Sequence, residues 1–137
     1  MAVEYFDKNS IIGINKSVIG VSGNPNDFFS VLNEANLETA IEMLKTKYED
    51  KELEEKLILK AAFLLEMLAY SAHAFGEGNK RTAWLATRAF LFINGFEISV
   101  TDETEIIDFV KSIACGEQSK NKIANWLRKN IKKGQVQ

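Results

Sequence analysis

The chain has 137 residues, 46% hydrophobic and 26% charged, with 17 Lys and Arg against 19 Asp and Glu for a net charge of −2. That is one globular domain, 1–137, with a core large enough to need neither a disulfide nor a metal, and its acidic balance argues against nucleic acid as a direct partner. The lone cysteine, Cys115, excludes an internal disulfide, reads as a small buried side chain and fits a reducing cytoplasm. Met1-Ala2-Val3-Glu4-Tyr5 lacks a signal-peptide layout, and no apolar run reaches membrane-spanning length, so the expected setting is cytoplasmic with no membrane partner.

In chain order, residues 1–9 are expected to be loosely ordered. Ser10 to Ile19 reads as a first helix, with Ile11, Ile12, Val18 and Ile19 on its apolar side and Gly13 weakening it. "GVSGNPND", 20–27, is a loop by its turn residues. Asn33 is a suitable N-cap for a helix to about Leu44, with Leu37, Ala40, Ile41 and Leu44 on one face. Asp50 then caps a long helix to about Ala72. Leu53, Leu57, Ala61, Leu64, Leu68 and Ala72 recur three and four apart and share a face, and the last turns are apolar nearly all round.

After a turn at 73–78, Asn79 opens a second central helix. From Thr82 to Ile93 only Arg88 is charged, which predicts packing on nearly every side, and Asn94-Gly95 ends it. Phe96 to Val100 reads as extended, but one strand makes no sheet. Asp102 with Glu105 forms a capping box for a helix to Ala114. Gly116 stops that helix, and Ser119 caps a last one through Ile131. Arg128, Lys129, Lys132 and Lys133 gather at its C-terminal end, where the helix dipole favours cations. Residues 133–137 are expected to be loose. The fold class is all-α, a compact bundle of six or seven helices around a central helix–turn–helix at 51–94.

The turn "HAFGEGNKRT", 73–82, carries the chemistry. It holds the chain's one histidine, a carboxylate between glycines, and a Lys-Arg pair at a helix start. Gly76 and Gly78 permit unusual backbone and leave room for a ligand near the main chain. The following helix presents unpaired N–H groups, a natural phosphate site. Lys80 and Arg81 sit against the helix dipole and call for a compensating anion. Glu77 beside that anion would repel it unless a cation such as Mg²⁺ came between. His73 at the same mouth can take a proton from an attacking hydroxyl. Phe75 has no such chemistry and is expected to plug into the core. Each group alone also has a plain reading: a helix-end cap, a solvated glutamate, junction glycines, solvated cations. Their coincidence in ten residues favours a Mg–nucleotide site with a base.

"HAFGEGNKRTA" resembles the signature of the Fic/Doc family, His-x-Phe-x-(Asp/Glu)-Gly-Asn-(Gly/Lys)-Arg, and is closest to the death-on-curing, Doc-like branch with its Asn-Lys-Arg-Thr-Ala. "NEANLETAIE", "FLFINGFEI" and "GEQSKNKIANWLRKN" are similar to other parts of that family, so the likeness runs from about residue 10 onward. It implies a Fic/Doc-type fold with His73 as general base, Phe75 as structural anchor and Glu77 holding Mg²⁺. Gly78, Asn79 and Lys80 would form the phosphate hole, and Arg81 would contact nucleotide phosphate.

The resemblance implies a toxin of a toxin–antitoxin pair. It would transfer the γ-phosphoryl group of Mg–ATP to a Ser/Thr hydroxyl of a target protein, elongation factor Tu by family analogy, and be held inactive by an antitoxin protein. The alternatives are AMP transfer to a protein hydroxyl and a degenerate module that only binds. AMP-transferring members have Gly where Lys80 stands and a second Arg where Trp84 stands, whereas Glu77-Gly78 looks more like that branch. Arg88, two turns beyond Arg81, is read as a substitute for the missing arginine, a structural ion pair or an exposed end. Ser30 to Ala35, "SVLNEA", approaches an inhibitory Ser/Thr-x-x-x-Glu-Gly/Asn helix but ends in Ala35. By family layout, Lys45 to Lys51 is the edge that aligns a target peptide.

Overall fold

A computed structural model describes residues 2–24 and 26–134; Pro25 and residues 135–137, part of the tail expected to be loose, lie outside the described residues. Six α-helices form an all-α bundle: α1 (Lys8–Val21), α2 (Glu34–Thr46), α3 (Leu53–Glu66), α4 (Asn79–Ile93), α5 (Glu103–Ala114) and α6 (Lys120–Asn130). A π-helical turn, Met67–Ser71, extends α3, and two short strands, β1 (Phe96–Ile98) and β2 (Ile131–Lys133), close the far end.

The apolar periodicity of α3 places it at the centre. Leu57, Ala61, Leu64, Leu68 and Ala72 are buried, and from Ala61 to Glu66 every side chain is buried. α3 packs against α6 on one side and α4 on another, with α2 also on α3, α1 on α4, and α5 on α4 and the π turn. Lys60, fully buried on α3, is held by the Leu44 carbonyl at the end of α2 and by Glu49 at 3.4 Å. Glu55 on α3 receives both the Nε and the Nη2 of Arg128 on α6, at 2.8 and 2.6 Å. The Arg128 guanidinium therefore lowers the Glu55 pKa, and the carboxylate raises that of Arg128.

Several boundaries differ from the sequence expectation for identifiable reasons. α1 begins at Lys8 because Asp7 caps it, its carboxylate accepting from Ser10 N–H at 3.0 Å. The segment expected to be loose up to residue 9 runs along α4: Glu4 exchanges backbone hydrogen bonds with the Asn94 side chain at 2.8 and 3.0 Å, and Tyr5 and Phe6 pack on Phe90. Asp50 does not cap α3; Glu52 holds that position, without a side-chain bond. The central helix changes form before Ala72, whose N–H reaches five residues back to Met67 at 2.8 Å. Ile131 leaves α6 in extended conformation and starts β2, whose antiparallel pairing with β1 places Glu97 opposite Lys132. The extended stretch after α4 thus has a partner that sequence periodicity hid inside the last helix.

Two burial expectations change as well. α4 is not covered all round: Leu85, Phe92 and Ile93 are 38%, 66% and 44% exposed. Cys115, expected to be buried, is exposed where α5 ends. The expected caps of the last two helices are present. Asp102 accepts from Thr104 and Glu105 N–H at 2.9 and 3.3 Å, and Ser119 accepts from Lys122 N–H at 3.2 Å. None of the described helices is long and apolar enough to cross a membrane.

Candidate functional site

The turn between α3 and α4 is fastened to the fold carbonyl by carbonyl. The Ala72 carbonyl accepts from Asn36 Nδ2 at 2.9 Å and the His73 carbonyl from Asn33 Nδ2 at 2.6 Å. The Ala74 carbonyl accepts from the N–H groups of Leu32 and Asn33 at 2.8 and 3.1 Å, and Gly76 N–H donates to the Ser30 carbonyl at 3.1 Å. Ser30 to Asn33 thus lies antiparallel to the turn, with Val31 opposite Phe75. It is extended rather than helical, so "SVLNEA" forms no inhibitory helix here. In Lys45 to Lys51, the segment expected to align a target peptide, Glu49 meets Lys56 and Lys60 of α3 at 3.6 and 3.4 Å.

Downstream of Phe75 two further asparagines do the same work. Asn79 spans the turn with both amide atoms: its Oδ1 accepts from Phe75 N–H at 3.2 Å and its Nδ2 donates to the Phe75 carbonyl at 2.8 Å. Asn15 of α1 is fully buried and donates to the Glu77 carbonyl at 2.8 Å and to Thr82 Oγ1 at 3.1 Å, while its own Oδ1 has no partner. Phe75 itself is 2% exposed and joins the core, as a residue that pins the turn should. Gly78, φ 78°, must be glycine on two counts. The conformation is left-handed, and a Cβ would meet Asn15 Nδ2, Ile19 Cδ1 and Val18 Cγ1 at 3.1 to 3.3 Å.

α4 therefore starts from a glycine with no side-chain cap, and its first intrahelical bond runs from Thr82 N–H to the Gly78 carbonyl at 2.9 Å. The N–H groups of Asn79, Lys80 and Arg81 precede that bond and have no partner among the described residues. In front of them is a cavity of about 350 Å³, lined by Val18, Ile19, Ser22, Asp27, Gly76, Glu77 and Gly78 with Asn79, Lys80 and Arg81. Glu77, Lys80 and Arg81 are exposed and make no ion pair among the described residues. Two cations and a helix start face one free carboxylate, an arrangement that fits a phosphate chain with a hard cation between it and Glu77. Among the described residues no three acidic, His or Cys side chains could hold a metal by themselves. A cation here would thus have one protein carboxylate, Asp27 nearby on the same cavity, and phosphate oxygens for the rest.

The structure brings Glu77, Gly78, Asn79, Lys80 and Arg81 around one cavity, with Asn79 engaged through its side chain in shaping the turn. His73 does not line it; it stands at the other end of the turn, exposed, with φ 46° and the Tyr70 ring 6.5 Å away. A second, apolar groove adjoins the cavity across Lys80 and Arg81. It measures about 420 Å³ and is floored by Trp84, Leu85, Ile106, Ile107 and Val110. Arg88, exposed and without an ion pair among the described residues, lines its continuation together with Arg81.

Sequence reasoning missed Asn15, Asp27 and Asn36 as parts of this site. Asn15 did leave a signal: it falls between Ile11 and Val18 at helical spacing, a polar residue on the apolar face of α1. Nothing comparable marked Asp27 or Asn36.

Residues 5–91 match the family model described as Fic/DOC family. Among curated proteins, Toxin Doc of Mycolicibacterium smegmatis (strain ATCC 700084 / mc(2)155) is 41% identical over 66 residues, which is 47% of this chain and 50% of that protein. The match spans about half the length of that relative.

Proposed function

Given that the chain belongs to the Fic/Doc family, whose model it matches over residues 5–91, we propose that it is a Doc-like toxin that transfers the γ-phosphoryl group of ATP to a Ser or Thr hydroxyl of a target protein. Transferases acting on proteins are typical of that family, and the similarity to a Doc toxin favours this branch. The observation that carries the reading is the start of α4: three amides without a partner among the described residues, with Lys80 and Arg81 on the same cavity as Glu77.

Phosphoryl transfer asks a protein mainly for positioning and charge neutralisation. The amides of Asn79, Lys80 and Arg81 hold the phosphate oxygens, and the two cationic side chains offset their charge. Glu77 would hold Mg²⁺, which supplies charge neutralisation between that carboxylate and the phosphates. His73 takes the hydroxyl proton as the hydroxyl oxygen bonds to the γ-phosphorus. The bond from that phosphorus to the β–γ bridging oxygen breaks, and ADP leaves. Gly78 leaves the close approach open, and Asn15 and Asn79 fix the backbone that makes the cradle.

AMP transfer is the rival from the same cradle, favoured by the Glu77-Gly78 pair. ATP labelled at the α or the γ phosphate, given with the protein to a host lysate, separates the two. Label from the γ position on a protein band is expected, with elongation factor Tu as the first band to identify. Label from the α position would replace phosphoryl by AMP transfer, and no label from either would leave a module that only binds. An antitoxin is the proposed partner. Growth arrest on expression is expected, absent with His73→Ala and relieved by co-expressing a small neighbouring gene.

A further inference from the structure

The proposed base sits in a backbone conformation that its neighbours must impose. At φ 46°, His73 occupies the left-handed region, which residues bearing a Cβ enter only when held there. Its imidazole has no hydrogen-bond partner among the described residues; the nearest ring, Tyr70, is 6.5 Å away by centroid. The main chain on either side of His73 therefore sets where its Cα–Cβ bond points, and with it the region the ring can reach.

That main chain is held from one place. The carbonyls of Ala72, His73 and Ala74 are consecutive, and all are taken by donors from residues 32–36. Asn36 Nδ2 reaches the first at 2.9 Å, Asn33 Nδ2 the second at 2.6 Å, and the N–H groups of Leu32 and Asn33 the third at 2.8 and 3.1 Å. Asn33 stands at the N-cap position of α2, where an asparagine side chain ordinarily accepts from the helix's own amides. Here it makes no such bond. The side chain that would cap α2 is used on the histidine turn instead. The phosphate cradle has separate fastenings, Asn15 on the Glu77 carbonyl and Asn79 on Phe75.

We propose that Asn33 and Asn36 form a clasp that positions His73, acting through the carbonyls of Ala72 and His73 and leaving the phosphate cradle untouched. This rests on His73 being the base, as read above, but the clasp itself is a statement about where one imidazole is held. With the clasp released, the residue relaxes out of its left-handed conformation and the imidazole is displaced from its place at the far end of the turn. The cradle still binds nucleotide, so the maximal rate falls while nucleotide saturation does not change.

Asn33→Asp is the discriminating variant. It keeps the size and caps a helix as well as asparagine does, but it turns a carboxylate oxygen toward the His73 carbonyl. Asn36→Ala is the second variant, in case a charge at position 33 disturbs the local fold. The maximal rate of γ-label transfer to lysate proteins is expected to drop about 10- to 100-fold, the scale of an ångström-level misplacement, with half-saturating ATP within about 2-fold of the parent. Because the chain has one histidine, its imidazole Cε1–H gives an unambiguous ¹H–¹³C correlation. That signal should move or broaden in both variants while the indole N–H signals of the two tryptophans stay in place. An unchanged rate with an unmoved imidazole signal overturns the proposal. So does a rise in half-saturating ATP at unchanged maximal rate, which would assign the asparagines to the cradle. If the parent protein transfers no label, the base reading fails by itself. The imidazole signal then still decides the clasp: moved in the variants, the clasp stands; unmoved, it falls.

Discussion

Asn15 is the residue at which the buried structure and the proposed cradle can be tested together. The substitution Asn15→Leu keeps the branched shape and the heavy-atom count and removes both donations, to the Glu77 carbonyl at 2.8 Å and to Thr82 Oγ1 at 3.1 Å. Two lost hydrogen bonds contribute about 1 kcal/mol each, and a carbonyl left without a donor costs a further 1–3 kcal/mol or so. Two effects reduce the sum. The Thr82 hydroxyl can turn back to a helix carbonyl, and the substitution also removes Asn15 Oδ1, which is already buried without a partner. The net expectation is a loss of about 2 kcal/mol. With an unfolding entropy of about 2.1 cal/mol/K per residue, a chain of this length loses about 3.5 °C of Tm per kcal/mol, so Tm should fall by about 7 °C. The freed Glu77–Gly78 peptide can also rotate away from the cavity, so affinity for Mg–ATP should fall by about 10-fold, equivalent to 1.4 kcal/mol. Calorimetric melting gives the first quantity and titration calorimetry with Mg–ATP the second. A Tm within about 2 °C of the parent, with unaltered ATP affinity, would refute the assignment of Asn15 as the buried brace of the turn.

Gly78→Ala should cost about 2–3 kcal/mol, since it combines a left-handed backbone with a Cβ crowded by α1. Gly23→Ala, at φ 69° with nothing within 4 Å, carries the backbone cost alone, about 1 kcal/mol, and the gap between the two in chemical denaturation measures the crowding. His73→Gly should abolish transfer yet hold or raise stability by up to about 1 kcal/mol, because glycine meets φ 46° without strain; a clear fall in Tm would contradict a strained histidine. The Glu55–Arg128 pair gives a pH signature. The hydrogen bonds from Arg128 hold the Glu55 carboxyl below the ordinary glutamate range in the fold, so the stabilisation is present above that range and disappears as pH falls through the lower, folded pKa. Both side chains are more than a third exposed, which limits the gain to at most about 1 kcal/mol. Melting curves of Glu55→Gln and the parent should differ at neutral pH and converge at low pH; a difference that grew on acidification would have the wrong sign.

What could be read from the sequence followed the distance over which each residue acts. The six helices were legible because an apolar stripe at spacings of three and four is a local property, and α3 repeats it from Leu57 to Ala72. The turn was legible for the same reason, since its chemistry lies in ten consecutive residues. The exposed flank of α4 was not: Leu85, Phe92 and Ile93 look like core by composition, and only the placement of α5 and β1 leaves them uncovered. The β1–β2 pair was hidden because Ile131 continues the α6 pattern until its partner 33 residues earlier, Ile98, is in place.

The asparagines mark the boundary most clearly. Asn79 works four residues away and opens its helix where the sequence put it. Asn33 was read correctly as the position where α2 begins, but its side chain crosses 40 residues to the His73 carbonyl, and Asn15 crosses 62 to that of Glu77. An asparagine's local options, cap or turn, can be inferred from its neighbours; its distant ones require the fold. Because these distant options were taken, the turn can be rich in glycine and yet fixed. Gly76 and Gly78 give it the backbone freedom to open a cradle, and amides from α1 and the start of α2 remove that freedom again from outside. A turn stiffened by its own side chains would have filled the space in front of α4 with them. Stiffened from behind, it leaves that space open.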